Sequence, residues 1–151
     1  MAKGRAMLVL TVNADHISVR LQDNLCNIGL TLNVIAETLH ALPPTELAWE
    51  TAIMRIEDAI SPLKPSLPKD ELLKVIGAED LRLLAFEQDD NGDYIRAEML
   101  EKAFAVLAGY RSLQDLPAMP NDLAFYAKVL LLREWVHHLD FDKLIWVNCH
   151  Q

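Results

Sequence analysis

Two stretches of this chain carry a glutamate and a histidine three residues apart, Glu37 with His40 and Glu134 with His137. On a helix, side chains at i and i+3 share a face, so each pair could hold one divalent metal jointly. A two-metal site inside a helical bundle needs two such pairs and one further glutamate from each of two other helices. Glu98 or Glu101 could serve the Glu134 pair, but no glutamate precedes Glu37. His40 also stands where its helix is expected to end, a place that favours histidine through the helix dipole. Near the end of the chain, His137, His138, Asp140, Asp142, Cys149 and His150 add further donors. Their spacing is not that of a tetrahedral zinc site. They read instead as a helix terminus followed by a turn and a strand.

A second set of oxygen donors runs from Glu87 to Glu98. Counting Glu87 as position 1 places Asp89 third, Asn91 fifth, Gly92 sixth and Glu98 twelfth. That ligand pattern resembles a calcium loop of the EF-hand type, over about 30 residues with its flanking helices. The resemblance implies calcium as the ligand. The chain departs from the pattern in two ways. Glutamate stands first where aspartate is usual, and Tyr94 stands eighth with aliphatic Ile95 one place late. The plainer reading of the same residues is an Asn-Gly turn, followed by Asp93 capping a helix. No second loop of this kind accompanies the first.

Other chemistries find no footing. There is no Gly-x-Ser-x-Gly elbow, no phosphate loop and no dinucleotide fingerprint, and the five glycines are scattered. Cys26 and Cys149 are the two cysteines, too few and too far apart for a disulfide framework. They fit a reducing compartment, so a cytoplasmic protein is expected. The net charge of −8 opposes nucleic acid and anionic membranes as partners. Lys3 and Arg5 ahead of Ala6–Val12 outline a secretory leader, but the apolar run is short and holds Thr11. No stretch has the apolar length of a membrane span.

These residues need elements to position them. Residues 7–12 and 16–21 are rich in β-branched side chains, and with Asn13-Ala14-Asp15 between them they predict a hairpin. From residue 24 the spacing of Leu25, Ile28, Leu32, Ile35 and Leu39 predicts a helix as far as Pro43-Pro44. Thr45 caps a second helix along Trp49, Ile53, Ile56 and Ile60. Three prolines make 61–68 a connector, and helical segments are expected at 69–76, 79–87 and 93–108. After a loop at 109–120, a last helix to about His138 is apolar almost all round, through Tyr126, Leu131 and Trp135 among others. Such a helix is buried, either centrally or in an interface. Residues 144–147 predict a short strand.

Together these expectations describe one domain over residues 1–151 of the α+β class. It is mainly helical, with about five helices and a small antiparallel sheet made by the N-terminal hairpin and the C-terminal strand. The expected function is a non-catalytic protein-interaction module, an assembly factor, regulator or adaptor. It would pair with itself and with another protein through Trp135, Leu131 and Tyr126, and need no cofactor. The 52% hydrophobic content and the missing catalytic motifs lean that way, and against an enzyme. One alternative is a metal-binding protein or small metalloenzyme using Glu134 and His137, Glu37 and His40, or the Glu87, Asp89, Asn91 and Glu98 loop. The other is a small-molecule binding domain.

Overall fold

Leu8, Leu10 and Val12 alternate along β1 (Met7–Val12) and are buried on one face of it, while Val9 and Thr11 are half-buried on the other. That is the period of a strand with one well-covered face. The computed structural model describes residues 7–21, 23–67, 72–84, 86–109 and 118–147. Strand β2 (Ile17–Leu21) returns antiparallel to β1 through a tight turn, in which the Asn13 amide donates to the His16 carbonyl at 2.9 Å. Strand β3 (Asn24–Ile28) pairs antiparallel with β2.

Helix α1 (Leu32–Leu39) follows, its first turn capped by the Thr31 hydroxyl, which accepts from the Val34 amide at 3.1 Å. Thr45 caps α2 (Glu46–Ile60) in the same way. Prolines then tighten the chain into a 3-10 turn, Ser61–Ser66. Strand β4 (Leu72–Ile76) runs parallel to β1. After a second 3-10 turn (Glu79–Leu83), β5 (Glu87–Asp89) and β6 (Gly92–Arg96) form a hairpin. Helices α3 (Ala97–Leu107) and α4 (Leu123–His138) precede the last strand, β7 (Lys143–Trp146). Strand β7 lies between β4, to which it is parallel, and β6, to which it is antiparallel.

The result is one seven-stranded mixed sheet in the order β3-β2-β1-β4-β7-β6-β5. Helix α4 packs against α1, α2 and α3, and its buried side chains join Leu8, Leu10, Leu73 and Val75 of the sheet in one core. Because β1, β4 and β7 are parallel, their carboxyl ends share one edge of the sheet and their amino ends the other. This is the feature that positions the candidate sites.

The expected mainly helical fold with a small sheet is thereby overturned. Residues 24–28 are an edge strand; Leu25, counted into a helical stripe, is exposed. Residues 72–76 are a central strand. A short apolar run such as Leu72-Leu73-Lys74-Val75-Ile76 carries no period that separates a buried strand from a helix. Residues 87–96 form a hairpin whose polar side chains hide its alternation. The C-terminal strand exists, but its neighbours are β4 and β6, not the N-terminal hairpin.

Candidate functional site

At the carboxyl edge, the β1–β2 turn meets the end of β4. Gly77 has φ +97°, and a Cβ placed on it would stand 2.1 Å from the Val12 carbonyl oxygen. Only glycine lets the two backbones approach so closely. The next residue is held as firmly: the buried Trp146 indole donates to the Ala78 carbonyl at 2.8 Å. On the other side of the turn, the Asn33 amide in the first turn of α1 donates to the Ala14 carbonyl at 2.9 Å. Helix α4 starts at this edge too, since Lys128, near its beginning, reaches Asp80 at 3.0 Å. The edge therefore gathers Asn13, Asp15, His16, Glu79, Asp80 and Lys128 beside the N-termini of α1 and α4. A cavity of about 350 Å³ opens between these two helices, lined by Asn33, Ala36, Glu37, His40 and Leu123. Glu37 and His40 thus share a cavity, but they belong to no group of three converging metal donors among the described residues. His40 ends α1 with φ 75°.

The opposite edge holds a charged network. Helix α4 ends there, just before β7 begins, and α3 begins there, directly after β6. Nε2 of His138 lies 2.8 Å from Glu57 Oε2 on α2 and 2.9 Å from Glu134 Oε1, one turn back on α4. Glu134 is only 1% exposed. Its other oxygen accepts from Arg133, whose guanidinium also donates twice to Glu101 on α3, at 2.8 and 3.1 Å. Burial works against the Arg133 charge, but Glu101 and Glu134 outweigh it and raise its pKa. In return, Arg133 holds the Glu101 carboxyl below its usual range. Among the described residues, Glu57, Glu134 and His138 make the one group of three that could hold a metal ion, with donor atoms within 4.8 Å of one another. The partner of Glu134 is therefore His138, at i+4, and not His137. The latter turns instead to a cavity of about 410 Å³ that Glu98, Glu101, Arg133, Asp140 and Asp142 also line. Cys149 and His150 lie outside the described residues.

The Glu87–Glu98 segment is not a helix–loop–helix. Its carboxylates Glu87, Asp89 and Asp93 sit on a hairpin and each faces a cation. Glu87 accepts from Arg96 and from the Tyr94 hydroxyl, Asp89 from Lys143, and Asp93 from Arg82 and Gln88. These bonds hold all three carboxyls below their ordinary range, led in turn by Arg96, Lys143 and Arg82. Asn91 makes the turn, its amide bonded to Asp89, and Glu98 is in the first turn of α3. Trp135 and Leu131 are fully buried and Tyr126 nearly so, packed inside the chain's own core. Tyr126 stacks on Trp49, with ring centroids 6.0 Å apart. No helix among the described residues is long and apolar enough to cross a membrane.

No protein-family model and no curated protein sequence matches the chain. Solved structures do. The chain is similar to a Ppx/GppA family member from Aquifex aeolicus, with 14% identity and a TM-score of 0.73, over 97% of this chain and 53% of that one. A type II variant of the Aquifex aeolicus Ppx/GppA phosphatase gives 13% identity and a TM-score of 0.73, over 97% and 54%. An exopolyphosphatase from Cytophaga hutchinsonii gives 7% and 0.65, over 97% and 54%. The likeness is one of fold, and the chain spans about half the length of these structures. The expected non-catalytic interaction module is corrected with it: the fold is that of the Ppx/GppA structures, and Trp135, Leu131 and Tyr126, assigned to an interface, are core. Sequence reasoning did not bring the residues of the carboxyl edge together as a site. Two of its parts were legible singly, the turn at Asn13-Ala14-Asp15 and Gly77, the latter read as a break between helices.

Proposed function

We propose that this chain is a phosphatase-like domain that binds and hydrolyses phosphate anhydrides, the substrate class named for the exopolyphosphatases it resembles. The observation that carries the reading is the match of nearly the whole chain to Ppx/GppA phosphatases at a TM-score of 0.73. The carboxyl edge supports it. Open α/β sheets bind ligands beyond the carboxyl ends of their strands, and helix N-termini there suit phosphate. Here α1 begins beside the turn at 13–16, and α4 begins at the same edge, where its Lys128 meets Asp80. Lys128 supplies a cation, and Asp15 and Glu79 are carboxylates placed to orient or deprotonate an attacking water.

The turn has no glycine, so it is not the Gly-rich kind of phosphate cradle. Phosphoryl transfer commonly uses a divalent cation. The described residues of this edge bring no three donors together, so they do not by themselves fit such an ion, and no step is derived through one. Exposed, free Cys26 is consistent with a cytoplasmic setting for the activity.

Titration of the labelled protein with tripolyphosphate, followed by amide chemical shifts, tests the reading. The expected shifts cluster at 13–16, 31–34, 77–80 and 123–128, and Lys128→Met weakens binding by at least ~10-fold, as loss of a charge-assisted contact should. No shifts, or shifts confined to the opposite edge, would sink it.

A further inference from the structure

Two carboxylates from different helices converge on a single imidazole nitrogen at the edge remote from the proposed phosphate site. An imidazole Nε2 carries at most one proton, and that proton lies in the ring plane. It cannot satisfy Glu57 Oε2 at 2.8 Å and Glu134 Oε1 at 2.9 Å equally. The point between the three atoms is where a cation with several bonds would sit. We propose that Glu57, Glu134 and His138 form a binding site for a zinc-type divalent transition metal, tying the end of α2 to the end of α4.

Several features prepare the group for that role. Glu134 and His138 are one helical turn apart, the spacing that lets two ligands on one helix face share an ion. Arg133 occupies the second oxygen of Glu134, so this buried carboxylate offers Oε1 alone and in a fixed direction. Glu101 in turn fixes Arg133 by two bonds. Partners of this kind around a ligand set its orientation. Glu57 and His138 are 38% and 31% exposed at the side chain, which leaves an entry path from solvent and room for a water as fourth ligand. Bonds of about 2.0–2.1 Å in tetrahedral geometry put donors roughly 3.3 Å apart, so the two separations from the imidazole, 2.8 and 2.9 Å, need open by only about half an ångström, and the two carboxylate oxygens already lie within 4.8 Å of each other. One imidazole with two carboxylates suits zinc and its neighbours in the first transition row. Magnesium and calcium prefer all-oxygen sets of six or more. Two carboxylates also balance the charge of the ion.

The test is titration of chelator-treated protein with zinc chloride, followed by calorimetry and native mass spectrometry. One zinc per chain is expected, with a rise in Tm through mass action. Glu57→Gln and His138→Gln each weaken binding at least tenfold, and because both side chains are partly exposed the variants keep their circular dichroism. Asp142→Asn, an exposed side chain on the other cavity, leaves binding unchanged. Absence of zinc binding by the parent chain overturns the proposal. So does full binding by both ligand variants, which would move the ion to the cavity lined by His137, Asp140 and Asp142. Tripolyphosphate binding at the carboxyl edge is read independently, so failure of one site leaves the other standing.

Discussion

Gly77 and Val12 are in backbone contact: a β-carbon on Gly77 would lie 2.1 Å from the Val12 carbonyl oxygen. The atom it would meet is main chain, at the carboxyl end of β1, and cannot turn aside. Gly77→Ala also forces φ +97° on a residue with a side chain. Strain of that kind costs about 1–3 kcal/mol before the clash is added. The expected result is a drop of at least several degrees in Tm, with loss of tripolyphosphate binding as β4 moves away from the β1–β2 turn. An alanine variant as stable as the parent would show that the two strands do not meet so closely.

Gly77 also shows what the sequence could and could not convey. Its type was a legible sign of a chain break, but which strand it met depended on β4 lying beside β1, a pairing of residues more than 60 apart. The N-terminal hairpin was legible, because β-branched alternation and turn residues act locally. So were the Thr45 cap and the apolar character of α4. Strand β4 was not, because an apolar pentapeptide buried in a sheet looks like one turn and a half of a buried helix. Of the charged network, Glu134 was singled out but paired with His137. The i+3 spacing satisfied the pattern, while Glu57 and the exposure of each helix face decided the geometry.

Two buried tryptophans make opposite predictions. Trp146 donates to the Ala78 carbonyl at 2.8 Å, whereas Trp135 Nε1 has no hydrogen-bond partner among the described residues. Phenylalanine at either position loses similar volume. At 146 it also leaves a buried carbonyl short of its donor, whereas at 135 it removes an unsatisfied one. Unpaired buried groups of this kind cost about 1–3 kcal/mol. Urea unfolding is therefore expected to rank Trp146→Phe below Trp135→Phe in stability by about that amount. Equal losses would mean the Trp146 bond contributes nothing net.

Acid should weaken the fold in a defined window. Glu87, Asp89, Asp93 and Glu101 all have pKa values lowered from 4.5, 3.8, 3.8 and 4.5 by their cation partners. A carboxyl with a lowered folded pKa stabilises above its unfolded value, and that contribution disappears as pH falls through the folded one. Stability should be level from pH 7 to about 5 and decline below about 4. Since these groups are largely exposed, salt should flatten the decline. Glu101→Gln removes part of it. Urea midpoints at pH 7, 5, 3.5 and 2.5 provide the check; no decline below pH 4 would refute the ion pairing.

Arg133 and Glu134 couple in a way that single substitutions exaggerate. Glu134 is 1% exposed and its two oxygens meet Arg133 and His138. Removing one partner of a buried pair leaves an uncompensated charge, whereas replacing both with apolar groups of similar size can be neutral. Arg133→Met is thus expected to cost up to about 3 kcal/mol, less than for a fully enclosed pair because the arginine is itself 18% exposed. The double variant Arg133→Met with Glu134→Met should recover most of that loss while abolishing zinc binding. The recovery would show that the pair is not needed for stability, while the lost zinc binding reads Glu134 as a ligand. If the double variant is instead the least stable of the three, the network is structural first, and its two carboxylates serve to anchor His138 and Arg133 between the helices.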